Sequence, residues 1–323
     1  MTSQEIVCVT GIDGALGQAI TKRIESSGYV VRGVPMEHLN LATDALVRQL
    51  KKLGKARYII NAAELSDLNR AEQHPDLAYQ ANVSSCEAIS EVALEWGATV
   101  IHLSSFQIFD GHKKNAYISA NKGRPINVYG RTKFQAEEFL QKRLEKLIII
   151  RLGWLLDVGS DGWIARTLSD WLEDRKVRSY PDVELSPTAA DDVARVINAV
   201  LKQLGCGVNV WGIYHYASAE SVTHEELTRA LQYQSYGQDA PEGQIISEAQ
   251  PKETNGTDSP QTAEVRLPKN GVLGCIKLRN TFGIKQLPWR RYLPAMVEHL
   301  AEMGLIKVVA TNTEREAAQP VNR

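Results

Sequence analysis

Short apolar segments alternate with helix-like segments through the first two hundred residues, and this alternation restricts the fold more than any other feature of the chain. Each apolar segment is apolar on both faces, which is typical of parallel strands covered by helices on both sides. These strand-like segments are 6–10, 30–34, 58–62, 99–103 and 147–152. The helix-like segments are 15–26, 44–52, 75–96 and 129–144, with lengths that suit crossover connections. The sequence therefore predicts an α/β fold with a Rossmann-type, doubly wound parallel sheet.

The regular alternation weakens after residue 155, where a smaller, mixed C-terminal lobe is predicted. Thr223 with Glu226 three residues later predicts a capping box at the start of a further helix. Segment 232–261 is mostly polar, so we expect a flexible insert that serves as a lid or as a partner-docking segment. Helices are also predicted at 186–205 and 288–303, and a disordered tail at 306–323. The predicted division is a Rossmann domain of 1–155 and 187–212, and a substrate lobe of 156–186 and 213–305.

Composition excludes several functional classes. Lys and Arg number 37 and Asp and Glu number 38, and no long basic run is present, so no nucleic-acid partner is expected. The longest apolar stretch, 147–156, is interrupted by Arg151 and is too short to span a bilayer. The N-terminal residues lack a basic secretory region, and the four cysteines lack metal-site spacing. We expect a cytoplasmic protein without a membrane partner or a metal, and a homodimer is a candidate assembly.

Three glycines, Gly11, Gly14 and Gly17, stand at the junction of the first strand and the first helix. Glycine lets the backbone turn tightly and approach a pyrophosphate, and the N–H groups of a helix N-terminus attract its charge. Ala15 and Leu16 belong to the same turn. The spacing is G-x-x-G-x-x-G rather than G-x-G-x-x-G, and the alternative is a tight turn without a ligand. Because the turn lies at the first strand-to-helix junction, we predict dinucleotide binding.

The choice between NAD and NADP stays open in the sequence. An acid that would hold the ribose 2′-hydroxyl is expected near the end of the second strand, where Pro35 stands instead. Glu37 could replace that acid if the loop curls back, and Arg32 could reach a 2′-phosphate.

Tyr129 and Lys133 are four residues apart at the start of a predicted helix and therefore share one helix face. A nearby ammonium stabilises a phenolate, so Tyr129 is a candidate general acid or base. Ser105 follows the fourth strand-like segment, at the sheet edge where open α/β sheets bind ligands, and could hydrogen-bond a substrate carbonyl. The alternatives are a chance pair among eleven tyrosines and a serine that bonds its own backbone.

Five motifs carry a family resemblance: TGIDGALG, NAA at 61–63, HLSSFQIFDG, PINVYGRTK and IIRLGW. Their order and spacing resemble the extended short-chain dehydrogenase/reductase family, and within it the branch of dTDP-4-dehydrorhamnose reductase and its sugar-nucleotide-binding relatives. The resemblance covers residues 6–200 well and continues weakly through 212–218 and the R-x-P-x-N pattern at 266–270.

The resemblance implies roles for individual positions. Ser105, Tyr129 and Lys133 match the catalytic triad of the family, and Gly11, Gly14 and Gly17 match its pyrophosphate loop. Asn61, Ala62 and Ala63 match the segment that runs beneath NAD or NADP. By analogy, a hydride passes from the nicotinamide to a keto carbon of a nucleotide-linked sugar, with Tyr129 as proton donor, Ser105 polarising the carbonyl and Lys133 anchoring the ribose.

The chain departs from the family pattern at two places. Phe106 and Gln107 stand where the reductases usually carry an acid and a tyrosine, and where sugar-nucleotide dehydratases need Asp and Glu, so dehydration is not expected. In the helix after the NAA motif, Asn69 replaces an acid of the family, whereas Glu72 is kept. The substrate pocket is therefore expected to differ from that of the rhamnose enzymes.

The leading hypothesis is an NAD(P)H-dependent reductase of a keto nucleotide-sugar. A non-catalytic regulatory protein that binds NAD(P) or a sugar nucleotide is the first alternative, because such a subunit of methionine adenosyltransferase is known in the same branch. A nucleotide-sugar epimerase that holds its cofactor tightly is the second.

Overall fold

The structure is a computed structural model that describes residues 5–160, 162–237, 243–250 and 265–304. Its main sheet has six parallel strands in the order β2-β1-β3-β4-β5-β10. These strands are β1 Ile6–Thr10, β2 Val30–Val34, β3 Tyr58–Asn61, β4 Thr99–Ser105, β5 Leu147–Leu152 and β10 Gly212–Tyr216. The shorter strands are β6 Trp154–Leu156, β7 Val177–Ser179, β8 Glu184–Leu185, β9 Pro187–Ala189, β11 Val222–Thr223, β12 Ile245–Ser247 and β13 Asn270–Gly271. The helices are α1 Ala15–Glu25, α2 Thr43–Lys52, α3 Leu68–Gln73, α4 Pro75–Tyr79, α5 Ser85–Trp96, α6 Val128–Arg143, α7 Trp163–Leu172, α8 Ala190–Gly205, α9 His224–Tyr236, α10 Ile276–Phe282 and α11 Leu293–Glu302.

Helices bury both faces of the sheet, which explains why its strands are apolar on both faces. One face packs on α1, α8 and α10, with Ile20 and Ile197 in its core. The other face packs on α2, α5 and α6, with Leu46 and Ile89 in its core. The predicted doubly wound, Rossmann-type fold is confirmed.

The strand order reverses between β1 and β3, which are neighbours in the sheet. Such a switch point opens a crevice at the carboxyl ends of the strands, where ligands bind in open α/β sheets. Thr10 and Asn61 end these two strands, and the Thr10 hydroxyl donates a 2.7 Å hydrogen bond to Asn61 Oδ1. The glycine turn and the NAA motif are therefore side by side at the mouth of the crevice.

The sixth strand, β10, corrects the predicted division of the chain. The division placed residues from 213 onward in the lobe, but β10 pairs with β5 along its whole length. Helix α10 packs on the same sheet, with Leu278 and Phe282 in the core around α1 and α8. This pairing joins segments far apart in sequence, so local patterns did not predict it.

Strands β6 to β9, β11 and β12 and helices α7, α9 and α11 form the lobe around a core of their own that includes Leu168, Leu231, Trp289 and Leu300. The predicted insert 232–261 is wrong at two places: residues 232–236 continue α9, and β12 pairs with β7. The rest of that segment includes 238–242 and 251–264, which lie outside the described residues, as does the predicted tail 306–323.

Two further predicted helices start later than expected. Helix α8 begins at Ala190, after the short strand β9, and a 3₁₀ turn at Trp289–Arg291 precedes α11. In the described part of the chain, no helix is both long and apolar enough to cross a membrane. The same residues contain no cluster of three His, Cys, Asp or Glu side chains that could hold a metal ion.

Candidate active site

The glycine turn between β1 and α1 forms one wall of the crevice. Gly11 has φ +69°, and a Cβ atom there would lie 2.8 Å from the Cα of Ala63. A Cβ atom at Gly17 would collide with the Gly11 carbonyl oxygen. Helix α1 begins at Ala15, and none of the described side chains caps its N-terminus. The first N–H groups of a helix have no acceptor within it, so Ala15, Leu16 and Gly17 can offer theirs to an anion.

The NAA motif lies beside this turn at the end of β3. Asn61 is buried, and its side-chain amide donates a 3.0 Å hydrogen bond to Nδ1 of His102. Burial and the nearby Lys133 ammonium hold the pKa of His102 well below its usual value, so the ring is neutral. Ala62 lines the crevice and Ala63 packs under Gly11. The predicted cofactor-binding segments are thus adjacent in the structure.

Arg32 and Glu37, the two residues considered for contact with the 2′ group of the cofactor ribose, lie in different places. Arg32 stands in the middle of β2, opposite Cys8, and its guanidinium hydrogen-bonds the carbonyl of Leu53 at the end of α2. It is therefore directed away from the carboxyl end of the strand. Glu37 lies in the 3₁₀ turn that follows β2, with its side chain 80% exposed.

Helix α6 carries two of the three triad residues, and four polar contacts fix its first turn. Asn127 is its N-cap and accepts a 2.8 Å hydrogen bond from the Gly130 N–H. Glu72 of α3 accepts a 2.7 Å hydrogen bond from the Val128 N–H. The Asn127 amide also donates to Gln107 Oε1, at 3.0 Å, and to the Arg266 carbonyl, at 3.1 Å. Glu72, which the family pattern keeps, and Gln107, which departs from it, therefore both position the helix that presents Tyr129 and Lys133.

The structure brings Ser105, Tyr129 and Lys133 together at the carboxyl edge of the sheet. All three side chains are buried, and Lys133 Nζ donates a 2.6 Å hydrogen bond to the carbonyl of Leu103. Lys133 Nζ also lies 2.8 Å from the carboxylate of Glu64. Burial and the facing Glu64 carboxylate raise the pKa of the Tyr129 phenol well above its usual value, and the Ser105 hydroxyl opposes this effect.

Glu64 was not among the residues singled out from the sequence. The signal for it was present, because it follows the NAA motif directly and so stands just beyond the carboxyl end of β3. Its contacts with Lys133 and Tyr129 join segments that are distant in the sequence.

A cavity of about 360 Å³ opens in front of the triad and reaches into the lobe. Ser105, Tyr129 and Glu64 line its sheet side. Its lobe side is aromatic: the Trp154 ring lies 6.2 Å from Phe106, 6.2 Å from Trp163 and 5.5 Å from His224, measured between ring centroids. Phe106, which replaces an acid of the family, therefore adds apolar surface to this wall.

Two residues that line this cavity, Trp154 and Arg166, carry polar groups. The Trp154 indole N–H is buried and has no hydrogen-bond partner among the described residues. Arg166 of α7 forms a 2.5 Å ion pair with Asp67, which is the N-cap of α3, so a positive group stands at the rim of the cavity.

Comparison with known proteins gives the family of the chain. A model of the family described as RmlD substrate binding domain matches residues 5–302. The chain belongs to this family. The predicted resemblance to the rhamnose reductase branch of the extended short-chain dehydrogenases is confirmed.

Two curated relatives and one solved structure illustrate the similarity. The dTDP-4-dehydrorhamnose reductase of Aggregatibacter actinomycetemcomitans is 26% identical over 288 residues, which are 88% of this chain and 96% of that protein. The methionine adenosyltransferase 2 subunit beta of Xenopus laevis is 28% identical, over 69% of this chain and 70% of that protein. A crystal structure of dTDP-4-dehydrorhamnose reductase from Bacillus anthracis, in complex with NADP, has a TM-score of 0.76 at 20% identity and covers 92% of this chain and 100% of that one.

Proposed function

We propose that this protein is an NAD(P)H-dependent reductase of a keto nucleotide-sugar. One observation carries the proposal: Ser105, Tyr129 and Lys133 meet at the edge of a large cavity that lies beside an uncapped, glycine-lined helix N-terminus. The relationship to a dTDP-4-dehydrorhamnose reductase over nearly the full length of both chains supports it.

The residues at the first strand-to-helix junction fit a dinucleotide. Gly11 and Gly17 allow the close approach of Ala63 and α1, and the free N–H groups of α1 suit a pyrophosphate. Gly14 is the least crowded of the three glycines, since a Cβ atom there would meet only the Gly11 carbonyl oxygen, at 3.4 Å. A bound nicotinamide cofactor supplies the hydride for the keto carbon of the substrate.

Each side chain of the triad has its own role in the reduction. Ser105 donates a hydrogen bond to the substrate carbonyl oxygen and so stabilises the negative charge that develops on it. The Tyr129 O–H bond breaks as its proton passes to that oxygen, which completes the alcohol. The Lys133 ammonium, held by the Leu103 carbonyl, is placed to bind a ribose hydroxyl. Because burial and Glu64 raise the pKa of Tyr129, the phenol holds the proton that the reduction consumes.

The cavity suits a ligand with both an apolar and an anionic part. Trp154, Trp163 and Phe106 offer aromatic faces against which a sugar ring or a base can pack. Arg166 at the rim can release its exposed ion pair with Asp67 and bind a diphosphate through its positive guanidinium. These groups favour a nucleotide-linked sugar over a small free keto compound.

The experiment that tests the proposal is an assay of nicotinamide oxidation. Purified protein is incubated with NADPH or NADH and a panel of 4-keto-6-deoxy nucleotide-sugars, with Tyr129→Phe as the matched variant. We expect substrate-dependent loss of NADPH or NADH absorbance, and a fall of about 10²- to 10⁴-fold in kcat for Tyr129→Phe because it lacks the proton donor. Equal rates for the two proteins would contradict the assignment of Tyr129, and no turnover with any sugar would contradict the proposal.

The second candidate function is that of a non-catalytic regulatory protein that binds NAD(P) or a sugar nucleotide. The relationship to the Xenopus laevis methionine adenosyltransferase subunit and the altered residues Phe106 and Gln107 beside Ser105 favour it. Binding of NADPH without turnover of any sugar would support this alternative. The homodimer, the cytoplasmic location and the absence of a nucleic-acid partner stay predictions.

A further inference from the structure

Glu64 places a carboxylate inside the triad. Its side chain is 23% exposed and lines the cavity, whereas that of its partner Lys133 is only 1% exposed. The Lys133 ammonium has two close oxygen contacts, the Leu103 carbonyl at 2.6 Å and the Glu64 carboxylate at 2.8 Å. The positive charge that would stabilise a Tyr129 phenolate is therefore already balanced by a negative one.

The same carboxylate faces the Tyr129 hydroxyl. A negative charge beside a phenol disfavours its ionisation, and burial acts in the same direction. Both effects raise the pKa of Tyr129, whereas Ser105 lowers it. Lys133 alone would favour the phenolate, but its ion pair with Glu64 leaves no net positive charge to do so.

Three other titratable groups face this cluster from the elements packed around it, and they do not offset the effect of Glu64. His102 of β4 is neutral because burial and Lys133 hold its pKa well below its usual value. Burial raises the pKa of the Cys86 thiol, on α5, to about 11. The Glu72 carboxylate of α3 accepts the Val128 N–H at the start of α6. The charge that acts on Tyr129 is therefore mainly that of Glu64, with Lys133 as its ion-pair partner.

We propose that Glu64 is a positioning residue that pairs with Lys133, lies beside the Tyr129 hydroxyl and opposes its ionisation, so that Tyr129 is a neutral phenol when the substrate binds. The catalytic meaning of this inference rests on the proposed reductase function. When the Tyr129 O–H bond breaks and the proton passes to the substrate oxygen, a phenolate is left beside the Glu64 carboxylate. Repulsion between the two favours rapid return of a proton from solvent, which reaches the site through the cavity to which Glu64 is exposed.

The test is a titration of Tyr129 in the protein without cofactor or substrate. The near-ultraviolet absorbance of phenolate is followed with rising pH in the wild type and in Glu64→Gln, and the matching curve with Tyr129→Phe is subtracted from each. Glutamine keeps the size of the side chain and removes its charge, so the Lys133 ammonium becomes unbalanced. We expect the midpoint for Tyr129 to fall by about one to three pH units in Glu64→Gln.

Asp67→Asn is the matched control, because Asp67 also lines the cavity but pairs with Arg166. Its Tyr129 midpoint should equal that of the wild type. The inference is overturned if Glu64→Gln titrates like the wild type, or if Asp67→Asn shifts the midpoint as far as Glu64→Gln does.

The titration and the reductase assay fail independently. An unshifted midpoint together with sugar-dependent NADPH oxidation in the wild type would overturn the role of Glu64 alone. A shifted midpoint, in a protein for which none of the tested sugars supports NADPH oxidation, would uphold the electrostatic role of Glu64 and overturn the reductase proposal.

Discussion

Helix α6 contributes to two ion pairs one turn apart: Lys133 pairs with Glu64, and Glu137 pairs with Arg151. The side chains of Glu137 and Arg151 are 0% and 2% exposed, and three hydrogen bonds of 2.7 to 3.2 Å join them. The Ser104 hydroxyl donates a further hydrogen bond to Glu137. Lys133 is equally buried, but Glu64 is open to the cavity and makes one ion-pair contact.

This difference in burial gives the two ion pairs different roles. The pair of Glu137 and Arg151 is enclosed and has its hydrogen bonds satisfied, so it ties α6 to β5 and no ligand can reach it. The pair of Lys133 and Glu64 keeps one partner at the surface of a cavity, where a ligand can compete for it. Burial and hydrogen-bond satisfaction, rather than charge type, therefore indicate which pair belongs to the site.

The largest expected effect on stability comes from breaking the enclosed pair. Glu137→Ala leaves the Arg151 guanidinium buried without its counterion, so we expect the free energy of unfolding to fall by about 3–5 kcal/mol, measured by urea denaturation. Glu138→Ala, at the exposed next position, is the control and should change it by less than about 0.5 kcal/mol. Equal losses for the two variants would show that the enclosed pair does not stabilise the fold.

A smaller effect is expected from pH, through the histidine beside the enclosed pair. His215 lies 3.4 Å from Arg151 and bonds the Tyr117 carbonyl through Nδ1, and burial with the Arg151 charge lowers its pKa from 6.5 to about 3. Below about pH 6.5 the unfolded chain binds a proton at this histidine, whereas the folded chain does not. The free energy of unfolding therefore decreases as the pH falls toward 3.

We expect His215 to account for about 2 kcal/mol of the loss in unfolding free energy between pH 7 and pH 5. Denaturation at the two pH values measures it, and His215→Gln should lose less stability on acidification than the wild type by about that amount. The exposed His112→Gln is the control. An unchanged pH dependence in His215→Gln would contradict the neutral, buried state of this ring.

The smallest effect is expected from the open pair. Glu64→Gln removes a partly exposed charge but keeps an amide oxygen that can accept from the Lys133 ammonium, which also retains the Leu103 carbonyl, so the free energy of unfolding should change by only about 1 kcal/mol. Urea denaturation beside Glu137→Ala gives the comparison directly. A loss as large as that of Glu137→Ala would mean that the Glu64 pair is structural and would remove the distinction drawn between the two pairs.

Much of the sheet could be predicted because its strands are short runs that are apolar on both faces. The segments 6–10, 30–34 and 147–152 form strands with the predicted bounds. The pairing of β10 with β5 could not be predicted, since register between distant segments leaves no local pattern.

Some residues of the candidate site could likewise be predicted from the sequence, and others could not. Tyr129 and Lys133 share one turn of a helix, and Ser105 ends a strand, so local spacing and the edge rule of open sheets singled out each of them, and the family resemblance grouped the three. The role of Glu64 depends on contacts with α6 from the end of β3, and the aromatic wall around Trp154 depends on elements of both parts of the chain. These contacts come from tertiary packing, which composition and periodicity do not report.

The most direct measurement of the central claim follows the hydride itself. The protein is incubated with NADPH deuterated at the transferring position of the nicotinamide and with a 4-keto-6-deoxy nucleotide-sugar, and the product is analysed by mass spectrometry. The account predicts one deuterium on the carbon that was the ketone, in an amount equal to the NADPH oxidised. A recovered sugar without deuterium, whether unchanged or epimerised, would contradict it.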